Sequence, residues 1–185
     1  MILQAETSLL IAVKRHLTET LSVSDDAIDV ELDDTAPAMS GQVFYAVSPS
    51  NASQGRYSGT YGAPAHDMLG ARVAVIMRMG NVPKDRTRQS AFLDRLHGLN
   101  TLVSDVSKAI RQNYNLINIA NAELQQMGVD GSFTKPLVPV SVDQKPRMAT
   151  GDIYDAGKNN SGGNAQVVMI RGVNFANAEF IGKMQ

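Results

Sequence analysis

Residues Ala71–Met79 read ARVAVIMRM, an apolar run on both faces of a would-be strand. Val73, Val75, Met77 and Met79 fall on one side, and Ala74 and Ile76 on the other. A strand that is apolar on both faces has no side to give to water, so it belongs in the middle of a sheet and is covered above and below. This constrains the chain more than any other segment does. Whatever precedes and follows must supply neighbouring strands and covering layers.

The nearest cover follows directly. After the polar connector Asn81–Thr87, a helix is expected over Gln89–Gln112. Phe92, Leu96, Leu99, Val103, Val106 and Ile110 repeat at alternating spacings of four and three. Leu93, Leu102 and Ala109 widen that stripe on one flank, beyond what a two-helix seam needs. The preferred reading is therefore a helix packed on a sheet, not a free coiled coil. Gly98 weakens such a helix by up to about 1 kcal/mol, which a close approach to the sheet would justify.

Other elements read more plainly. Residues 5–21 are a helix with a stripe of Leu10, Val13, Leu17 and Leu21, capped by Thr7 or Ser8. Ile28, Val30 and Leu32 alternate with Asp29, Glu31 and Asp33 as in a half-buried strand, and Gln42–Val47 is a second strand. Residues 48–70 are nearly all turn formers and read as an extended loop. Beyond Tyr114, asparagines alternate with Leu116, Ile117 and Ile119; asparagine is a poor helix former, so a helix end and a short strand are expected there. Residues 127–165, with three prolines and the run KNNSGGN, read as an irregular insertion or arm, with one strand near Pro139–Val142. Gln166–Val173 and Ala178–Ile181 supply closing β-structure. The expected fold is α+β: a single domain over 1–185, with a mixed or antiparallel sheet flanked by an N-terminal helix and a long central helix, and long loop insertions.

Composition narrows the function classes. Seventeen Lys and Arg balance 18 Asp and Glu, so no broad field attracts phosphate backbones or anionic lipid. There is no cysteine, which removes thiolate metal sites and thiol nucleophiles. The N-terminus lacks the pattern of a signal peptide, and no stretch approaches the ~20 apolar residues of a membrane span, so a soluble protein is expected. His16, His66 and His97 do not stand at zinc-helix spacing. Asp25-Asp26 and Asp33-Asp34 fit solvated turns better than a cation loop. Neither a phosphate loop nor a nucleophile elbow is present. The residues point away from an enzyme and call for no cofactor and no metal. Lys84, Arg86, Arg88 and Arg95 make a basic cluster around the helix start, where cations oppose the helix dipole; a partner or packing must hold that end.

The order of elements then suggests a family. LLIAVKRHL, ARVAVIMRM, LDRLHGLNTLVSDVSKAI and VVMIRGVNF, in that sequence, resemble the small neck proteins of tailed bacteriophages, above all the tail terminator or tail completion family. The chain departs from that compact pattern in its two long insertions. The resemblance implies a homo-oligomeric ring, usually a hexamer, in the neck of a virion assembled in the host cytoplasm. Its partners would be the tail tube protein and the head-side connector or stopper protein, with genomic DNA only passing through the lumen and no membrane involved. Interface contacts are expected from the loops and the basic connector, at Arg56, Tyr57, Tyr61, Lys84, Arg86, Arg88, Lys135 and Arg147. Another neck component, a head-completion, stopper or adaptor protein, fits the same order of elements. So does a small protein-binding module of non-viral origin, and an enzyme built on scattered residues such as His66, Asp67 and Arg72 is the remaining alternative.

Overall fold

The computed structural model describes residues 2–30, 43–50, 65–79, 88–152 and 165–182. Its frame is a pair of long antiparallel strands, β3 (Ala65–Arg78) and β7 (Ala165–Gly182). On the outer side of β3 lies β2 (Val43–Pro49), antiparallel, and beyond it β1 (Ile28–Val30), parallel to β2. On the outer side of β7, three short strands line up end to end: β6 (Arg147–Asp152), β5 (Val138–Val142) and β4 (Gly131–Phe133). The result is a mixed seven-stranded sheet in a single α+β domain, as the sequence led us to expect.

Three helices, α1 (Ile2–Leu21), α2 (Arg88–Ile110) and α3 (Tyr114–Gln126), share their buried residues with one face of that sheet. Leu99, Val103, Val106 and Ile110 of α2 are buried against this face, together with Val73 and Val75 of β3 and Val173 and Phe175 of β7. Each such side chain contributes roughly 1.5–3 kcal/mol on burial, well above the Gly98 penalty, so α2 tolerates the glycine. The heptad stripe is not buried throughout: Phe92 and Leu93 at its first turns are exposed. The close approach anticipated at Gly98 is absent too. A Cβ there would lie 3.6 Å from the Met77 methyl, an ordinary contact. Across the sheet, Phe44, Ala46, Ala74, Ile76, Val168 and Ile170 form a second, smaller buried cluster with Ala149 packed on it. Strand β3 is thus central and buried on both faces, as its two-sided pattern requires.

Several boundaries differ from the sequence reading. Helix α1 begins at Ile2, with neither Thr7 nor Ser8 as its cap. Their hydroxyls instead donate backwards, Thr7 to the Leu3 carbonyl at 2.8 Å and Ser8 to the Ala5 carbonyl at 3.0 Å. Strand β3 starts six residues before Ala71, inside the segment taken as a loop. The distal half of β7 offers it a ladder, pairing His66 with Ile181 and Met68 with Glu179. The remainder of that loop, 51–64, lies outside the described residues, as do 31–42 and hence the second half of the first strand.

Residues 114–126 form a helix, not the short strand expected. The Asn113 side chain caps it, accepting from the Asn115 and Leu116 N–H groups at 2.9 and 3.3 Å. Leu116, Ile117, Ala120 and Leu124 then bury one helical stripe, and this packing outweighs the weak propensity of asparagine. Gly128, at φ +69°, ends the helix in the left-handed conformation that favours glycine. The insertion 127–165 is likewise not irregular over its described part, 127–152, because its three strands each borrow the long outer edge of β7. The closing β-structure is one strand with a bulge. Opposite Gly70, β7 carries the extra residue, with Asn177 at φ +71°. Gly70 is required there, since a Cβ would sit 2.5 Å from the Phe175 carbonyl oxygen.

Candidate functional site

One group of charged side chains lies between α2 and the outer edge of the sheet. Asn100, Ser104 and Ser107 of α2, with Arg111 just past its end, recur at the same four-three-four spacing as the buried stripe, one step around the helix. They form its flank toward β5. Arg171 of β7 shares parity with Met169 and Val173, so its stem enters the helix-covered face. Its guanidinium is held at two points, Nε donating to the Asp143 carbonyl at 3.0 Å and Nη1 donating to Asn100 Oδ1. With Lys108, Val103 and Val142 these residues line a groove of about 540 Å³. Three cations and no acid line it. Guanidinium forks and hydroxyls in this arrangement suit a carboxylate or another oxyanion. The helix dipole accounts for part of the pattern: Lys108 is in the last turn of α2 and Arg111 directly follows it, where cations offset the dipole. It does not cover Arg171, which is on a strand.

The outer edge is locked by a second arginine from the opposite face. Arg72 of β3 lies across Gly172, the position where a Cβ would meet the guanidinium at 2.3–2.4 Å. It grips Asp143 in a fork, Nη1 to Oδ1 at 2.9 Å and Nη2 to Oδ2 at 2.8 Å. Asp143 Oδ2 also accepts from the Gly172 N–H at 2.7 Å, and the Asp143 N–H donates to the Gly172 carbonyl at 2.9 Å. Burial works against ionising this carboxyl. The Arg72 fork, the Gly172 N–H and the Arg72 and Arg171 charges outweigh it and hold its pKa below the ordinary carboxylate value. Asp143 therefore takes its side-chain hydrogen bonds from Arg72 and Gly172 rather than from the groove, where Lys108 also pairs with Asp105 at 3.6 Å.

A smaller cluster sits at the far end of β7. Glu179 accepts from Thr134 Oγ1 at 2.7 Å and pairs with Lys135 Nζ at 3.2 Å and His66 Nδ1 at 3.7 Å. The Thr134 hydrogen bond, with help from Lys135, lowers its pKa. His66 and Asp67 are neighbours on β3 and so face opposite sides of the sheet; His66 is exposed while Asp67 is buried. Asp67 Oδ2 has no hydrogen-bond partner, and burial raises the pKa of its carboxyl. Arg72 is committed to Asp143. The three residues His66, Asp67 and Arg72 do not converge on one point. Among the described residues, no group of three or more His, Asp or Glu could hold a metal ion. His16 is structural: its Nε2 lies 3.0 Å from both the Ala109 carbonyl and Asn113 Nδ2, tying α1 to the α2–α3 junction.

Of the interface residues read from the sequence, Arg56, Tyr57, Tyr61, Lys84 and Arg86 lie outside the described residues. Arg88 opens α2. Lys135 and Arg147 are exposed on the outer side of β7, Lys135 engaged with Glu179 and Arg147 at the start of β6, opposite Ile170. The sequence reading missed Lys108, Arg111 and Arg171. A signal was present for two of them: the polar stripe on α2 runs parallel to the apolar one, and Arg171 interrupts the inward parity of its strand. No helix among the described residues is long and apolar enough to cross a membrane. Compared with known protein families and with curated proteins, the sequence matches none of them. By architecture the chain is a single α+β domain.

Proposed function

We propose that this chain is a structural assembly protein that forms a ring at the head–tail neck of a tailed bacteriophage, capping the tail tube and joining it to the head-side connector. The observation that carries the reading is the layout of the sheet. All three helices lie on one face, while β1 at one end and β4, β5 and β6 at the other end pair with a single neighbour each among the described residues. Open strand edges are templates for pairing with another chain, and a protein that keeps two of them is suited to repeat end to end. The order of elements that resembles the tail terminator family supports the same reading. Gold-labelled antibody against the chain, imaged by electron microscopy on purified tailed particles, should mark the head–tail junction. Label on the tube wall or capsid shell, or particles that lack the protein, would sink the proposal.

A further inference from the structure

The two open edges of the sheet carry opposite charge. Beside β1 stand Asp25, Asp26 and Asp29, all exposed, with Val30 also partly exposed. Lys14 approaches Asp25 at 3.6 Å and Asp29 at 3.4 Å and offsets part of that charge. At the other end, Val140, Val142 and Met148 of β5 and β6 are exposed apolar side chains. Around them lie Lys108, Arg111 and Arg171 of the groove, with Lys145 in the β5–β6 turn and Arg147 just after it. Each edge has a small apolar centre and a rim in which one sign prevails, acid over Lys14 at β1 and base over Asp105, which pairs with Lys108 at 3.6 Å, at the other end.

We infer that these edges are the two halves of one contact: the acidic β1 edge of one copy docks on the basic α2–β5 edge of a second copy. The inference rests on the ring reading and names the surfaces the ring would use. Charge decides the pairing mode. A two-fold contact would place acidic edge on acidic edge or basic on basic, and like charges brought together at an interface cost several kcal/mol. Acid on base is a head-to-tail contact, which repeats and closes into a ring when its rotation allows. The groove is prepared for it. Arg171 is already oriented by the Asp143 carbonyl and Asn100, so it loses little freedom on binding a carboxylate. The Asp143 carboxylate is hydrogen-bonded by Arg72 and the Gly172 N–H, so Arg171 feels its charge without giving it a hydrogen bond. Backbone groups along the open sides of β1 and β5 add hydrogen bonds that depend on no side chain.

The test uses two charge-inverted variants of the full chain, both altered at exposed positions: Asp25→Lys with Asp26→Lys, and Lys108→Glu with Arg111→Glu. Sedimentation velocity across a concentration series reads the concentration at which oligomers form, and circular dichroism checks folding. Each variant alone should need at least about tenfold more protein to assemble than wild type, and added salt should weaken the wild-type assembly. Mixing the two variants one to one restores opposite charges at every contact and should restore assembly. The milder pairs Asp25→Asn with Asp26→Asn, and Lys108→Gln with Arg111→Gln, give a smaller shift and serve if an inverted chain fails to fold. Variants that assemble like wild type, or a mixture that stays dissociated, would overturn this contact and leave the ring reading standing. A wild-type chain still monomeric at about 1 mM and low salt would overturn both.

Discussion

Replacing Asp143 with alanine removes three hydrogen bonds at once, two from the Arg72 fork at 2.9 and 2.8 Å and one from the Gly172 N–H at 2.7 Å. The side chains of Arg72 and Asp143 are 20% and 29% exposed. Their pair therefore falls between exposed ion pairs, which contribute about 0–1 kcal/mol, and buried ones, whose disruption costs about 3–5 kcal/mol. A value near 2 kcal/mol follows for the fork, and the orphaned Gly172 N–H adds up to about 1 kcal/mol. Urea unfolding at pH 7 should show Asp143→Ala about 2–3 kcal/mol less stable than wild type, with the slope against denaturant unchanged. The same loss lowers the melting temperature by about 5–10 °C in a chain of this size. A double-mutant cycle with Arg72→Ala should recover about 1–2 kcal/mol of coupling, because either single change already breaks the fork. Acid adds a further signature. The folded pKa of Asp143 is depressed, so its stabilisation is complete above the unfolded value near 4 and fades only as the pH falls below it toward the folded value. A loss below about 0.5 kcal/mol, or strict additivity with Arg72→Ala, would refute the claim that this fork locks the outer edge of the sheet.

Three further outcomes follow from single residues. Gly98→Ala should stabilise the protein by about 0.5–1 kcal/mol in thermal unfolding, since a methyl group there meets only Met77 at 3.6 Å; destabilisation would restore the close-approach reading. Gly70→Ala should cost about 1–3 kcal/mol or more, because the new carbon meets the backbone oxygen of Phe175, which cannot rotate away; a neutral result would count against the bulge geometry. Asp67 has a raised folded pKa, so its charged form opposes folding once the pH exceeds the ordinary carboxylate value. The stability of Asp67→Asn relative to wild type should thus be greatest at pH 7 and shrink near pH 4, roughly the unfolded value; a pH-independent difference would contradict that account.

The long-range frame was legible in the sequence where burial leaves a period. The two-sided run Ala71–Met79 and the stripe Leu99–Ile110 placed a central strand and its covering helix, since both patterns record which faces meet other atoms. Helix α3 was not legible. Its asparagines argue against a helix locally, and the cap at Asn113 and the packing of Leu116 to Leu124 decide the matter only in three dimensions. Strand β5 was anticipated near Pro139–Val142, but β4 and β6 were hidden for a similar reason. They are three and six residues long and pair only with β7, which runs past both. The Arg72–Asp143 fork joins positions 71 apart with no local pattern. The groove was half legible: its α2 side chains follow a helical period, but only the sheet register brings Arg171 and Val142 beside them.

The proposed closed ring, built through the edges of the sheet, meets its sharpest test in native mass spectrometry of the purified protein over a range of concentrations. One discrete oligomer is expected, about six subunits by the family resemblance, in exchange with monomer and lost at high salt. A chain that remains monomeric throughout, or an open-ended ladder of dimers, trimers and longer chains with no favoured size, would contradict it.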